Sequence, residues 1–143
     1  SVVECTPYKK RIRKAVNMDN GKIVCTVNSF TSDEMKQYDA AKGDDYHSAK
    51  RYYTVMESFN THMKGNLIET TKQLLKGNYG FICQYDELDF ETVWSSVFDL
   101  ENLMVYRAEG DPRKKKFIAD SRLHDIVQKN RIIDPRTKIR QHA

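Results

Sequence analysis

The stretch Thr92-Val93-Trp94-Ser95-Ser96-Val97-Phe98-Asp99-Leu100-Glu101-Asn102-Leu103-Met104-Val105-Tyr106-Arg107-Ala108-Glu109-Gly110-Asp111-Pro112 decides the fold class. Val, Trp, Phe and Tyr fit a pleated, half-buried surface, and Asp99 and Asn102 bracket a turn, so the stretch reads as two strands and a tight connection. Alternation places Trp94, Ser96 and Phe98 on one face of the first strand and Val93, Ser95 and Val97 on the other. The second strand sets Leu103 and Val105 against Met104, Tyr106 and Ala108. A ribbon with one wet face is polar at every second position, and this one is not. It is therefore expected inside a layered domain, covered above and below, and closed by Gly110-Asp111-Pro112.

Upstream, Ser1 to Thr6 is a short β run that Pro7 closes by removing a ladder donor. Lys10 to Val16 reads as a charged edge strand. Asp19-Asn20-Gly21 carries the Asn-Gly pair of a tight hairpin, after which Lys22 to Val27 is expected to pair back with Ile23, Cys25 and Val27 on one face. Thr31 to Lys42 is polar, a short helix or a loop. Asp44 and Asp45 suit a helix start. Ala49, Tyr52, Tyr53, Met56, Phe59 and Met63 then recur at helical steps as far as about Lys64, with Gly65 ending the helix. Asn66, three residues before Glu69, resembles a capping box. It opens a helix with a buried stripe of Leu67, Ile68, Thr71, Leu74 and Leu75 and with Gly77 as its C′ residue.

Downstream, Phe117, Ile118, Leu123, Ile126 and Val127 are expected in one short helix with Asp120 or Ser121 near its start. Asp134-Pro135 marks a turn. Strands, then helices, then strands predict an α+β domain, helices packed on a largely antiparallel sheet. Residues 1–118 form that domain in this reading, and residues 119–143 a basic, partly helical tail.

The chain has 143 residues, 39% hydrophobic and 31% charged, which is enough for one domain with a core. No apolar run approaches the roughly 20 residues that span a bilayer, so no membrane role is expected. The first residues lack the basic flank and apolar block of a signal peptide. A start at Ser1 rather than Met fits a processed product or a truncated chain. The three cysteines, Cys5, Cys25 and Cys83, have neither metal spacing nor the look of a disulfide framework. Reduced, buried thiols in a cytoplasmic protein are expected.

The net charge of +4 is unevenly spread. Lys9, Lys10, Arg11, Arg13 and Lys14 form one basic run, and Arg113 to Lys116 another. From Ala119 onward, six Lys or Arg face three Asp. Such runs are ordinarily solvated faces; a nucleic-acid surface would also need interleaved aromatics, which the tail lacks.

Phosphate loops, metal-binding His pairs, paired CxxC motifs and nucleophile elbows are all absent from the sequence. His47 and His62 stand fifteen residues apart, too far along one helix to share an ion. His124 and His142 lie in the tail, and no metal or cofactor is expected. Cys5 sits in a β run without a nearby His, which favours a structural thiol over a nucleophile. Two polar positions stand out. Asn28 ends a strand, where a side-chain amide can meet a developing oxyanion, although it also suits a turn. Arg51 lies beside the apolar stripe of the first long helix, where it can hold a carboxylate or simply make a surface pair.

The segment Thr92 to Phe117 closely resembles the final strand pair of choloylglycine hydrolase-like proteins, including the acyl-CoA:6-aminopenicillanate acyltransferase branch of the N-terminal nucleophile (Ntn) hydrolases. Three further segments resemble that family in the expected order. Ser1-Val2-Val3-Glu4-Cys5-Thr6-Pro7 is similar to its Val-Val-Glu strand, and Val24 to Phe30 to its strand ending in Asn-x-Phe. Asp44 to Phe59, with Lys50-Arg51-Tyr52, is similar to the helix that bears its active-site Arg. Residues beyond Phe117 lie outside the resemblance.

The resemblance implies a four-layer αββα fold and a hydrolase or acyltransferase acting on linear amides. Its nucleophile is an N-terminal Cys, exposed by self-cleavage, whose α-amine serves as base. Asn28 would match the oxyanion Asn and Arg51 the Arg near the nucleophile, while Val27 stands where relatives often carry Thr. The matching segments all lie past the nucleophile, so the chain is expected to be the C-terminal half of such an enzyme, inactive alone. Its expected partners are the missing N-terminal half and a small amide substrate. An alternative is a non-catalytic, self-associating module built from the same half-fold, pairing through an uncovered edge as a homo-oligomer.

Overall fold

In the first strand, Val2 and Glu4 share one face and Val3 and Cys5 the other, because successive side chains of a strand alternate. The computed structural model describes residues 1–39, 43, 47–84 and 91–133, with side chains as far as residue 129. The chain divides into two compact units, Ser1–Ile82 and Cys83–Ala143. Helices and antiparallel sheets together make an α+β protein.

In the first unit, strands β1 (Val2–Cys5) and β2 (Lys10–Arg13) pair antiparallel, with Val3 opposite Ile12 and Glu4 opposite Arg11. Their turn is tied by the Thr6 hydroxyl, which accepts from the amides of Tyr8 and Lys9. Strands β3 (Val16–Met18) and β4 (Gly21–Ile23) form a hairpin at the expected place, but the predicted Lys10 to Val16 strand is divided, with Lys10–Arg13 pairing with β1 instead. The loop residues are Asp19 and Asn20, one position earlier than an Asn-Gly turn. Gly21, with φ 126°, supplies the conformation that L side chains avoid. Asn20 is thereby released to brace the hairpin: its Nδ2 donates to the carbonyls of Phe59 and Asn60 at 3.1 and 2.8 Å.

Helix α1 (Asp33–Lys36) buries Met35 completely, and Glu34 reaches Arg11 of β2 at 3.5 Å. Helix α2 (Ser48–His62) begins at His47, which has φ 52°; the predicted start at Asp44 and Asp45 lies outside the described residues. Its buried face is rotated from the predicted stripe. Ser48 and Ser58 are buried, whereas Ala49 and Tyr53 are exposed. Helix α3 (Leu67–Leu75) is capped as expected: the Asn66 side chain accepts from the Glu69 amide at 3.1 Å. Gly77, at φ 80°, returns its amide to the Leu74 carbonyl at 2.8 Å.

The chain then runs back along α2. Tyr79 stacks on His62 with ring centroids 4.2 Å apart, and Phe81 meets His47 edge-on at 5.1 Å under the Lys50 ammonium. Between them Gly80 passes so close to α2 that a Cβ there would lie 2.8 Å from a Thr54 methyl. Only glycine permits that approach.

The second unit contains the ribbon. Strands β5 (Trp94–Asp99) and β6 (Met104–Glu109) pair along their whole length, from Trp94 opposite Glu109 to Asp99 opposite Met104. The Asp99 carboxylate closes the turn by accepting from the amides of Glu101 and Asn102 and from the Asn102 side chain. A third strand, β7 (Ile118–Asp120), pairs with β6 and leads into helix α4 (Arg122–Ile133).

Two expectations fail in this unit. Phe117 and Ile118 do not join the helix: Ile118 pairs opposite Arg107, and the helix starts only after Asp120, which accepts from the Arg122 amide at 3.0 Å. Residues 118 and 119, between which the basic tail is expected to begin, are neighbours in β7. Nor are both ribbon faces covered. Val97 and Ala108 are buried on one face, but Trp94 and Phe98 on the other are 54% and 62% exposed, with the Arg107 guanidinium over the Trp94 ring. Ser96, Arg107 and Glu109 share that outer face, so it is less apolar than the β5 residues alone imply. The predicted Asp134-Pro135 turn and His142 fall outside the described residues.

Candidate functional site

The best-defined polar cluster lies in the first unit, around the segment that follows β4. Ladder pairing stops at Ile23, short of the predicted Val27. The alternation persists without it: Ile23, Cys25, Val27 and Ser29 are half-buried, while Val24, Thr26 and Asn28 are exposed. With no neighbouring strand among the described residues to bond it, this backbone is held by side chains instead.

Asn28 projects from the middle of the segment. The Arg51 guanidinium of α2 donates from Nη2 to Asn28 Oδ1 at 2.7 Å, with a longer contact to Ser48 Oγ at 3.5 Å. The two candidates, 23 positions apart in sequence, are thus brought together. With Oδ1 committed to a cation, the amide is fixed in orientation and its Nδ2 faces away from Arg51. Asn28 lines a cavity of about 350 Å³ together with Glu4, Arg13 and Asp39. A smaller cavity of about 70 Å³, bounded by Val27, Phe30, Ala49 and Tyr52, lies between this segment and α2.

Around this pair stand residues to which the sequence assigned no role, although Glu4 ends the Val2-Val3-Glu4 run of the family resemblance. Glu4 is buried, at 6% exposure. Its Oε1 accepts from the Thr31 amide and hydroxyl, both at 2.8 Å, and its Oε2 from the Ser32 amide at 3.2 Å and the Ser32 hydroxyl. Burial pushes the Glu4 carboxyl up, but these bonds from Ser32 and Thr31 outweigh it and hold the group at about 2. Arg13 Nε lies 2.7 Å from Glu4 Oε1 as a close ion pair whose N–H is not aimed along the contact. Arg13 Nη2 donates to the Cys25 carbonyl at 2.9 Å. The Asp39 carboxylate accepts from the Phe30 amide at 3.0 and 3.2 Å. One signal for Glu4 was present in the sequence, since alternation sets it on the Val2 face, away from Val3.

Burial pushes the Cys25 thiol up, with Arg13 and Arg51 pulling the other way. Cys5 departs from the expected buried thiol: it is exposed, on the outer side of the β1–β2 ribbon with Val3 and Ile12. The basic run from Lys9 to Lys14 is not one solvated face either, because Arg13 turns inward. Among the described residues no group of three or more His, Cys, Asp and Glu could hold a metal ion, and no helix is long and apolar enough to cross a membrane.

No family model matches the chain, and no curated protein or solved structure matches it.

The second unit has a cavity of about 740 Å³, lined by Arg107, Lys115, Lys116 and Arg122 with Glu109 and Asp120. Two of those cations are already engaged, Arg107 with Glu109 at 3.5 Å and Arg122 with Asp120. Arg113 and Lys114 of the second basic run likewise turn to Asp111, at 2.9 and 3.8 Å. Internal pairing of this kind lowers the positive field available to a polyanion.

Proposed function

We propose that this chain supplies the C-terminal portion of a choloylglycine hydrolase-like amidase or acyltransferase, cleaving or transferring across the C–N bond of a small linear amide. Asn28 is the oxyanion donor and Arg51 the residue that orients it. The observation that carries the reading is the 2.7 Å contact from Arg51 to Asn28 Oδ1. A cation on the carbonyl end polarises the amide and makes its N–H groups stronger donors, as a developing oxyanion requires. In this reading the attacking Cys and its α-amine belong to a preceding portion of the same four-layer αββα domain, and the reaction needs no cofactor.

Exposure supports the same reading. Among the described residues the buried apolar side chains are Met35, Met63, Leu74, Val97, Ala108 and Pro112, whereas Val3, Ile12, Trp94, Phe98 and Ile118 stand open on strand faces. A chain of this length ordinarily buries more. Those faces are what the remaining layers of the fold would cover.

The test is hydrolysis of an N-acyl amide by the product of the whole reading frame. Asn28→Ala should lower kcat by roughly two to three powers of ten. An unchanged kcat removes Asn28 from the site, and turnover by the 143-residue chain that vanishes in Cys5→Ala would replace the reading altogether. A second reading, a self-associating cytoplasmic module, draws on the open Val3 and Ile12 face of the β1–β2 ribbon, whose strands have no other ladder partner among the described residues. Sizing at several concentrations separates the two, since a module must self-associate on its own.

A further inference from the structure

The amidase reading leaves Glu4 and Arg13 without a task, yet Glu4 accepts four hydrogen bonds and Arg13 contacts both Glu4 and the Cys25 carbonyl. A carboxylate leaves water only at large cost unless its oxygens are filled, and Glu4 is filled by four hydrogen bonds and an ion pair. All four hydrogen bonds come from Thr31 and Ser32, three and four positions after Asn28. Such a carboxylate has no lone pair left for substrate chemistry. Its work is to hold that end of the segment against β1.

Arg13 holds the other end. Its Nη2 donates to the carbonyl of Cys25, three positions before Asn28, while its Nε rests against Glu4. Glu4 and Arg13 are diagonal neighbours on one face of the β1–β2 ribbon, since Arg13 stands opposite Val2. One ion pair on a rigid ribbon therefore grips the segment on both sides of Asn28. Asp39 adds a third hold at Phe30. A strand position is thus reproduced by side-chain bonds rather than by a ladder among the described residues.

We propose that Glu4 and Arg13 are positioning residues: together they set the Cys25–Ser32 segment so that the Asn28 amide meets Arg51. The consequence for catalysis rests on the amidase reading, but the clamp itself does not. Arginine suits position 13 because its planar fork offers Nε to Glu4 and Nη2 to the Cys25 carbonyl from fixed positions, which a single ammonium nitrogen on a flexible stem does not reproduce.

The clamp can be read by NMR on the 143-residue chain, following the Asn28 side-chain amide, identified by its disappearance in Asn28→Asp. Arg51→Ala sets the reference shift for an amide that has lost its cation. Glu4→Gln and Arg13→Lys should both move the Asn28 signal toward that reference, while Glu34→Gln, which breaks the exposed Arg11 pair nearby, should leave it in place. Arg13→Lys keeps the charge and carries the test if Glu4→Gln does not fold. An Asn28 signal that stays at its wild-type position in folded Arg13→Lys, but moves in Arg51→Ala, overturns the proposal. A signal that Arg51→Ala fails to move overturns the Asn28–Arg51 contact, and with it the amidase reading rather than the clamp alone.

Discussion

The Cys25–Ser32 segment and the β5–β6 ribbon are both extended stretches with modest apolar burial, and they are held by opposite means. The ribbon is a ladder: six register pairs from Trp94–Glu109 to Asp99–Met104 bond the backbone to itself, and Asp99 pins the turn. Among the described residues the segment has no ladder beyond Ile23. Its backbone is bonded to the side chains of Arg13, Asp39 and Glu4, and its central side chain to Arg51. A ladder spreads its stability over many equivalent bonds, so losing one is minor. A side-chain clamp concentrates stability in a few charges, which fixes one amide in place but fails when one charge is lost.

The largest expected effect attacks that concentration. Glu4→Ala strands the Arg13 guanidinium and leaves the Thr31 and Ser32 amides without their acceptor, a loss of about 3 kcal/mol or more for a broken buried pair. In hydrogen exchange the Thr31 and Ser32 amides should lose protection before those of β5 and β6. Equal loss in both places would erase the distinction between clamp and ladder.

Acid should sharpen the same contrast. The Glu4 carboxyl lies at about 2 in the folded chain, against an ordinary 4.5. A depressed carboxylate contributes stability that is complete above its unfolded value and lost as pH falls toward its folded one. Protection of Thr31 and Ser32 should therefore decline between about pH 4.5 and pH 2. That decline should be absent from the pH dependence of Glu4→Gln, and a variant that keeps it would show that another group is titrating. The smallest effect is expected from Glu34→Gln. The Arg11–Glu34 pair is half exposed at 3.5 Å, and such pairs contribute roughly 0–1 kcal/mol. A larger change in its urea midpoint would mean that exposed pairs help to build the clamp.

Local chemistry was legible in the sequence wherever it acts over a few residues. The Asn66 cap, the Gly77 helix end, the hairpin around Asn20 and the paired strands of Thr92 to Pro112 all follow from short-range geometry. Long-range choices were not. Ile118 entered a strand rather than a helix because β6 offered it a partner, and α2 rotated its buried face toward Ser48 and Ser58. Asn28 and Arg51 were readable as candidates from position and resemblance, but their contact spans 23 residues. Glu4 was hidden more deeply. Its role depends on Thr31, Ser32 and Arg13 converging on it, and no local pattern records a convergence across three segments.

The central claim is that Arg51 and Asn28 act as one unit on a developing oxyanion, and a double-mutant cycle on amide hydrolysis by the product of the whole reading frame tests it most directly. Residues that act as a unit are non-additive. Arg51→Ala, Asn28→Ala and the double variant should therefore all lower kcat by a similar factor, roughly two to three powers of ten. A double variant whose loss is the product of the two single losses would contradict the account.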